Sequence, residues 1–142
     1  ENEENYDCFI EAAKTCSKAK LEHSSNANFF GVDQTVVTYF EIKGIEYDEC
    51  LLYVRSESTE IEYTEEIIQS LLNNGMSQEE IDQQEEELKN QVASLEGKDG
   101  TCSYSNYQDI VNLFERWKEG SFSTQDFADG NCEGEYFETQ VV

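Results

Sequence analysis

Basic residues are scarce: nine Lys and Arg stand against 32 Asp and Glu, a formal charge of −23. A phosphate backbone demands a basic face, so this excludes nucleic-acid binding. It also argues against docking on anionic membranes. No apolar run approaches the ~18 residues that a transmembrane helix needs. Proline is absent where average usage would supply about seven, and no physical argument follows from that. Histidine occurs once, as His23 in the stretch His23-Ser24-Ser25. Nucleophilic catalysis needs a base beside the nucleophile, and His23 reads as a solvated strand residue instead. No Gly-x-Gly-x-x-Gly, P-loop or His-Glu-x-x-His pattern occurs. Carboxylates are so abundant that none stands out as the pair, about 5–10 Å apart in a cleft, that glycoside hydrolysis uses. The chain is expected to be non-enzymatic and without a cofactor.

Low hydropathy and high net charge are also the marks of disorder. Leu, Ile, Val and Phe make up 32 of the 142 residues, about 23%, just above the ~20% below which disorder is the default. Aromatic residues are 12% of the chain and recur periodically, which favours a fold. A length of 142 residues suits one domain, 1–142, flanked by an N-terminal arm (1–6) and a C-terminal arm (135–142).

The five cysteines are Cys8, Cys16, Cys50, Cys102 and Cys132. None forms a Cys-x-x-Cys pair, and His23 is not spaced with any of them, so a zinc site is disfavoured. Disulfides in an extracellular protein are the better reading, with five small buried thiols as the alternative. Eight residues of helix separate two Cα atoms by about 12 Å, too far for a bridge, so Cys8 and Cys16 are not partners if one helix joins them. Cys50 and Cys102 lie in strand-like stretches and are expected to pair. Cys132 is expected in a late loop within reach of Cys16 or Cys8. One thiol, with Cys8 the candidate, is left unpaired or bridges to another chain.

Along the chain the period changes several times. Phe9, Ala12, Ala13, Cys16 and Ala19 mark a helix over 7–20, capped by Asn5 or Asp7. From Leu21 to Tyr63 the period is two. Val36, Thr38, Phe40 and Ile42 face one way, and Val37, Tyr39, Glu41 and Lys43 the other; Cys50, Leu52 and Val54 alternate with Leu51, Tyr53 and Arg55. Turns are expected at 31–33 and 44–48, and short connections favour an antiparallel meander. Ile67, Ile68, Leu71 and Leu72 form a helix ended at Asn73-Asn74-Gly75. Ser77-Gln78-Glu79-Glu80 is a capping box for the next helix, whose Glu85-Glu86-Glu87 run fills a solvated face. Thr101–Tyr104 reads as a strand. Ser105-Asn106-Tyr107-Gln108 caps a helix with Tyr107, Ile110, Val111, Phe114 and Trp117 on one face, read as core rather than a carbohydrate platform. Ser123-Thr124-Gln125-Asp126 starts a short turn, and 135–142 is a terminal strand or arm.

One stretch imitates half of a calcium loop. Asp129, Asn131 and Glu133 alternate oxygen ligands before Gly134 and Glu135, but the twelfth position is Gln140 rather than a bidentate Glu. A weak calcium site is one reading of Asp129, Asn131, Glu133 and Glu135; a glycine-rich turn holding Cys132 in a bridge is preferred.

Five segments together have a familiar order: 7–16 (DCFIEAAKTC), 40–44 (FEIKG), 75–81 (GMSQEEI), 95–102 (LEGKDGTC) and 116–122 (RWKEGSF). The chain resembles a family of small uncharacterised secreted or lipoprotein-like proteins of archaea and related prokaryotes. The resemblance covers most of the chain. It implies an extracellular location and a preceding signal peptide, often with a lipid-anchoring cysteine, and it supplies no catalytic residues. Relatives of this kind tend to carry a further cysteine near the position of Asn2.

The expected fold is α+β: an antiparallel meander of about four or five strands packed by an N-terminal helix and C-terminal helices, stabilised by disulfides. The chain begins at Glu1 without an initiator Met, which fits removal of a signal peptide. The expected role is that of an extracellular structural protein, as a subunit of a cell-surface assembly or filament. Its partners would be further copies of itself or another surface protein. The alternative is a cell-surface binding module for a small ligand or calcium, reading it on a sheet face lined by Tyr39 and Tyr53.

Overall fold

A computed structural model describes residues 3–121 and 126–138. Its elements are α1 (Glu3–Ala13), β1 (Ala19–Phe29), β2 (Val32–Glu46), β3 (Glu49–Tyr63), α2 (Glu65–Asn73), α3 (Gln78–Ala93), β4 (Asp99–Tyr104), α4 (Tyr107–Lys118), β5 (Asn131–Glu133) and α5 (Glu135–Glu138). The five strands form one antiparallel sheet in the order β1-β2-β3-β4-β5, and two disulfides accompany it, so the protein is the α+β meander expected. The chain gathers into two compact units. Unit 1 takes in Glu1–His23, Thr38–Arg55 and Lys98–Val142; unit 2 takes in Ser24–Val37 and Ser56–Gly97.

Unit 1 holds the larger core. Alternation along β2 and β3 sends Phe40, Ile42, Cys50, Leu52 and Val54 to one side of the sheet, and Cys102 and Tyr104 of β4 join them. The β3–β4 register sets Cys50 opposite Tyr104 and Leu52 opposite Cys102. α4 presents Ile110, Val111, Leu113, Phe114 and Trp117 to this core, and α1 adds Tyr6, Phe9, Ile10 and Ala13. Phe114 is the hinge-pin of the packing, with ring centroids 4.7 Å from Phe9 and 5.0 Å from Phe40, both edge to face.

Several boundaries differ from the sequence reading, each for a local reason. α1 starts at Glu3, because Tyr6 extends the Phe9–Ile10–Ala13 face by one turn, so residues 3–6 are helix rather than an arm. It stops at Ala13, not Lys20: Cys16 takes a left-handed φ of 52° and the chain turns back into β1. The cap of α4 is Asn106, whose Oδ1 accepts from the Gln108 amide at 3.0 Å; the box expected from Ser105 is one residue early. Residues 131–133 form a fifth strand where a loop was expected, and 135–138 form a helical turn rather than a strand. The turn expected at 123–126 and the arm beyond 138 lie largely outside the described residues.

Unit 2 takes in residues 24–29 of β1, 32–37 of β2 and 56–63 of β3, with α2 and α3. Thr64 caps α2: its Oγ1 accepts from the Ile67 amide and donates to the Gly31 carbonyl at 2.7 Å. Gly31 turns the β1–β2 connection at φ 88°, and a Cβ there would lie 2.7 Å from Ile67 Cβ. Both demands require glycine. The Ser77–Glu80 capping box of α3 is formed in both directions. Among the described side chains of this unit, Ile81 of α3 and Ile61 of β3 are the buried apolar ones.

Candidate functional site

The side of the sheet in unit 1 away from the buried row carries Tyr39, Glu41 and Lys43 from β2 and Leu51, Tyr53 and Arg55 from β3. Tyr39 and Tyr53 meet edge to face at 6.2 Å. The Arg55 guanidinium lies 4.6 Å from the centre of the Tyr39 ring and 5.9 Å from that of Tyr53, and Lys43 Nζ lies 5.0 Å above Tyr53. Each hydroxyl is engaged: Tyr39 donates to Glu41 Oε1 at 2.9 Å, and Tyr53 donates to Asp99 Oδ2 at 2.7 Å. Lys43 also pairs with Glu41 at 3.6 Å. The hydrogen bond from Tyr39, with Lys43 and Lys20 nearby, holds the Glu41 carboxyl below its usual range. Burial, and then the hydrogen bond to Asp99, pushes the Tyr53 phenol up. Glu41 is therefore charged and Tyr53 neutral at pH 7, and the side chains of this face hold each other in place before any partner arrives.

The strand alternation in the sequence puts these residues on one side of their own strands. It gives no register between strands, and register is what brings Arg55 over both tyrosines and Lys20 of β1 toward Glu41. Lys20, Lys43 and Arg55 were accordingly missed as a group. The signal present in the sequence was three separate cations in an acidic chain, each two residues from a tyrosine or glutamate of its own strand.

The cysteines fall differently from the expected pairing. Cys16 joins Cys50 with Cα atoms 5.8 Å apart, Cys102 joins Cys132 at 4.0 Å, and Cys8 is an exposed free thiol on α1. Cys50 and Cys102 are not bridged to each other. Leu52, not Cys50, stands opposite Cys102 on β3, while Cys132 stands directly opposite it on β5. The turn at Cys16 brings that residue to Cys50.

The calcium reading of Asp129, Asn131, Glu133 and Glu135 meets a geometric obstacle. Asn131 and Glu133 lie on an extended strand, paired with Ser103 and Thr101, and Glu135 opens α5. Among the described residues, no group of three or more acidic, imidazole or thiol side chains comes together to hold a metal ion. Calcium needs six to eight oxygens at one point, and a strand spreads them apart.

His23 is not a solvated residue. It is half-buried, hydrogen-bonded through Nδ1 to the Tyr6 hydroxyl, with its ring 6.1 Å from that of Trp117. Burial lowers its pKa from 6.5, so the imidazole is neutral at pH 7 and shares one hydrogen with the Tyr6 hydroxyl across this bond. Two polar clefts lie away from the Tyr39–Tyr53 face. One, of about 460 Å³ in unit 2, is lined by Asn26, Asp33, Thr35, Thr59, Glu62 and Lys89 among others. The other, of about 890 Å³ between α1 and α4, is crossed by the Lys118–Asp7 ion pair at 2.5 Å. Among its described lining residues, neither cleft carries a cysteine, serine or histidine.

Comparison with protein-family models, with curated proteins and with solved structures finds no match in any of the three.

Proposed function

We propose that this is a non-enzymatic extracellular structural protein that acts at a cell surface by contact, with further copies of itself or with another surface protein. The contact surface is the Tyr39–Tyr53–Arg55 face of the sheet. That face is the single observation carrying the reading. Tyrosine and arginine are the residue types that concentrate binding energy at interfaces, and here they are already ordered on rigid strands. Two disulfides support an oxidising compartment. No helix among the described residues is long and apolar enough to cross a membrane.

The alternative, a module that stacks a small ligand on Tyr39 and Tyr53, has less support. Arg55 and Lys43 already lie over those rings. The test is native mass by light scattering over a wide concentration range, without reductant, for the wild type and for Tyr53→Ala. Mass should grow with concentration in the wild type and stay at one chain in the variant. A wild type that remains a monomer at every concentration and salt overturns the self-association arm. Failure to bind any surface protein as well overturns the reading.

A further inference from the structure

Charge is divided unequally along this chain. Unit 2 contains thirteen of the 32 acidic residues and a single base, Lys89; the other eight bases all belong to unit 1. Within unit 2, α3 carries Glu79, Asp82 and Glu86, all exposed, at the i, i+3, i+7 spacing of one helix face, which Lys89 continues at its C-terminal end. In unit 1, Lys43 and Arg55 lie over the rings of Tyr53 and Tyr39, and Lys20 acts electrostatically on Glu41, so three bases stand against the two acids of this face, Glu41 and Asp99.

From this we infer that the partner of the tyrosine face is the acidic α3 of a second copy of this chain. The inference rests on the contact function proposed above and names its counter-surface. Lysines and a tyrosine-stacked guanidinium suit carboxylates better than they suit a neutral surface. With a net charge of −23, two copies repel in most orientations. A contact that sets the cations of one copy against the acids of another offsets that repulsion at close range. At physiological salt the screening length is about 8 Å, so the distant repulsion is damped while the direct ion pairs persist. The two surfaces are different patches on one chain, so the contact is heterologous. Repeated, it closes into a ring or propagates as an open filament.

Charge reversal tests this directly. Lys43→Glu with Arg55→Glu alters the face, and Asp82→Lys with Glu86→Lys alters the helix. Lys20→Glu with Lys43→Glu serves as a second face variant, because both side chains are exposed and neither lies in the core. Thermal melts confirm that each variant is folded before sedimentation velocity is measured. Each variant alone should weaken self-association about tenfold or more. An equimolar mixture of a face variant and the helix variant should associate again, because the reversed surfaces match each other. If the face variants dissociate the assembly while the helix variant assembles like wild type, the face reading stands and the inference about α3 fails. If the wild type itself does not associate, the inference fails together with self-association. Association that is unchanged in all variants overturns both the face and the helix.

Discussion

Removing the Cys16–Cys50 bridge should lower the melting temperature by roughly 11 °C. The bridge spans 34 residues of sequence. In the chain-entropy model a loop of that length costs the unfolded state about 13 cal/mol/K, or about 3.7 kcal/mol at 25 °C. For a chain of this size each kcal/mol moves the midpoint by about 3 °C. The perturbation is Cys16→Ala with Cys50→Ala, which leaves no orphan thiol beside the free Cys8. Both positions are buried, so lost packing adds to the entropic figure rather than offsetting it. The assay is a calorimetric scan without reductant, alongside Cys102→Ala with Cys132→Ala, whose 30-residue span gives nearly the same value. A shift under about 3 °C would refute the reasoning. So would a peptide map of the wild type that joined Cys50 to Cys102.

Three further outcomes are expected. The pKa of His23 is held below 6.5 by burial, so between that value and its folded pKa the unfolded chain takes up a proton that the folded chain does not. Stability should therefore decline as pH falls below about 6.5 and level off under the folded pKa, and His23→Gln should remove that part of the slope in melts from pH 7 to 5. Gly134 has φ 119°, and a Cβ there would stand 2.5 Å from Gly100 Cα and 2.7 Å from the Asp99 carbonyl. Gly134→Ala should cost about 2–3 kcal/mol in urea unfolding, and an unchanged midpoint would contradict the packing of β4 against β5. Tyr47 and Asp48 turn the β2–β3 hairpin at φ 52° and 64°, conformations that Asn-Gly adopts at least cost. Tyr47 is 91% exposed and gives up no packing, so Tyr47→Asn with Asp48→Gly should stabilise by about 1–2 kcal/mol, whereas a lower melting temperature would show that Tyr47 makes contacts in the folded chain.

Much of the architecture was legible because period and capping are local. The switch from period two to helical spacing after Tyr63 located the β-to-α transition, and Asn73-Asn74-Gly75 and Ser77–Glu80 marked one helix end and the next helix start where they stand. What was misread depends on contacts distant in sequence. Cys16 and Ala19 fit the α1 stripe, yet the pull of Cys50 and the left-handed turn at Cys16 take them out of the helix. β5 is three residues long and too short to show a period, so only its partner Cys102 reveals it. The tyrosine–cation face was half legible. The alternation gave its members on β2 and β3, but Lys20 was read as the end of the first helix, and the register between strands, which no single strand encodes, assembled the face.

The most direct test of the contact face is hydrogen exchange of the wild type in dilute and in concentrated solution. Added protection at high concentration should fall on peptides spanning 39–43 and 51–55. Added protection confined to other segments, or none while the mass rises with concentration, would contradict the account.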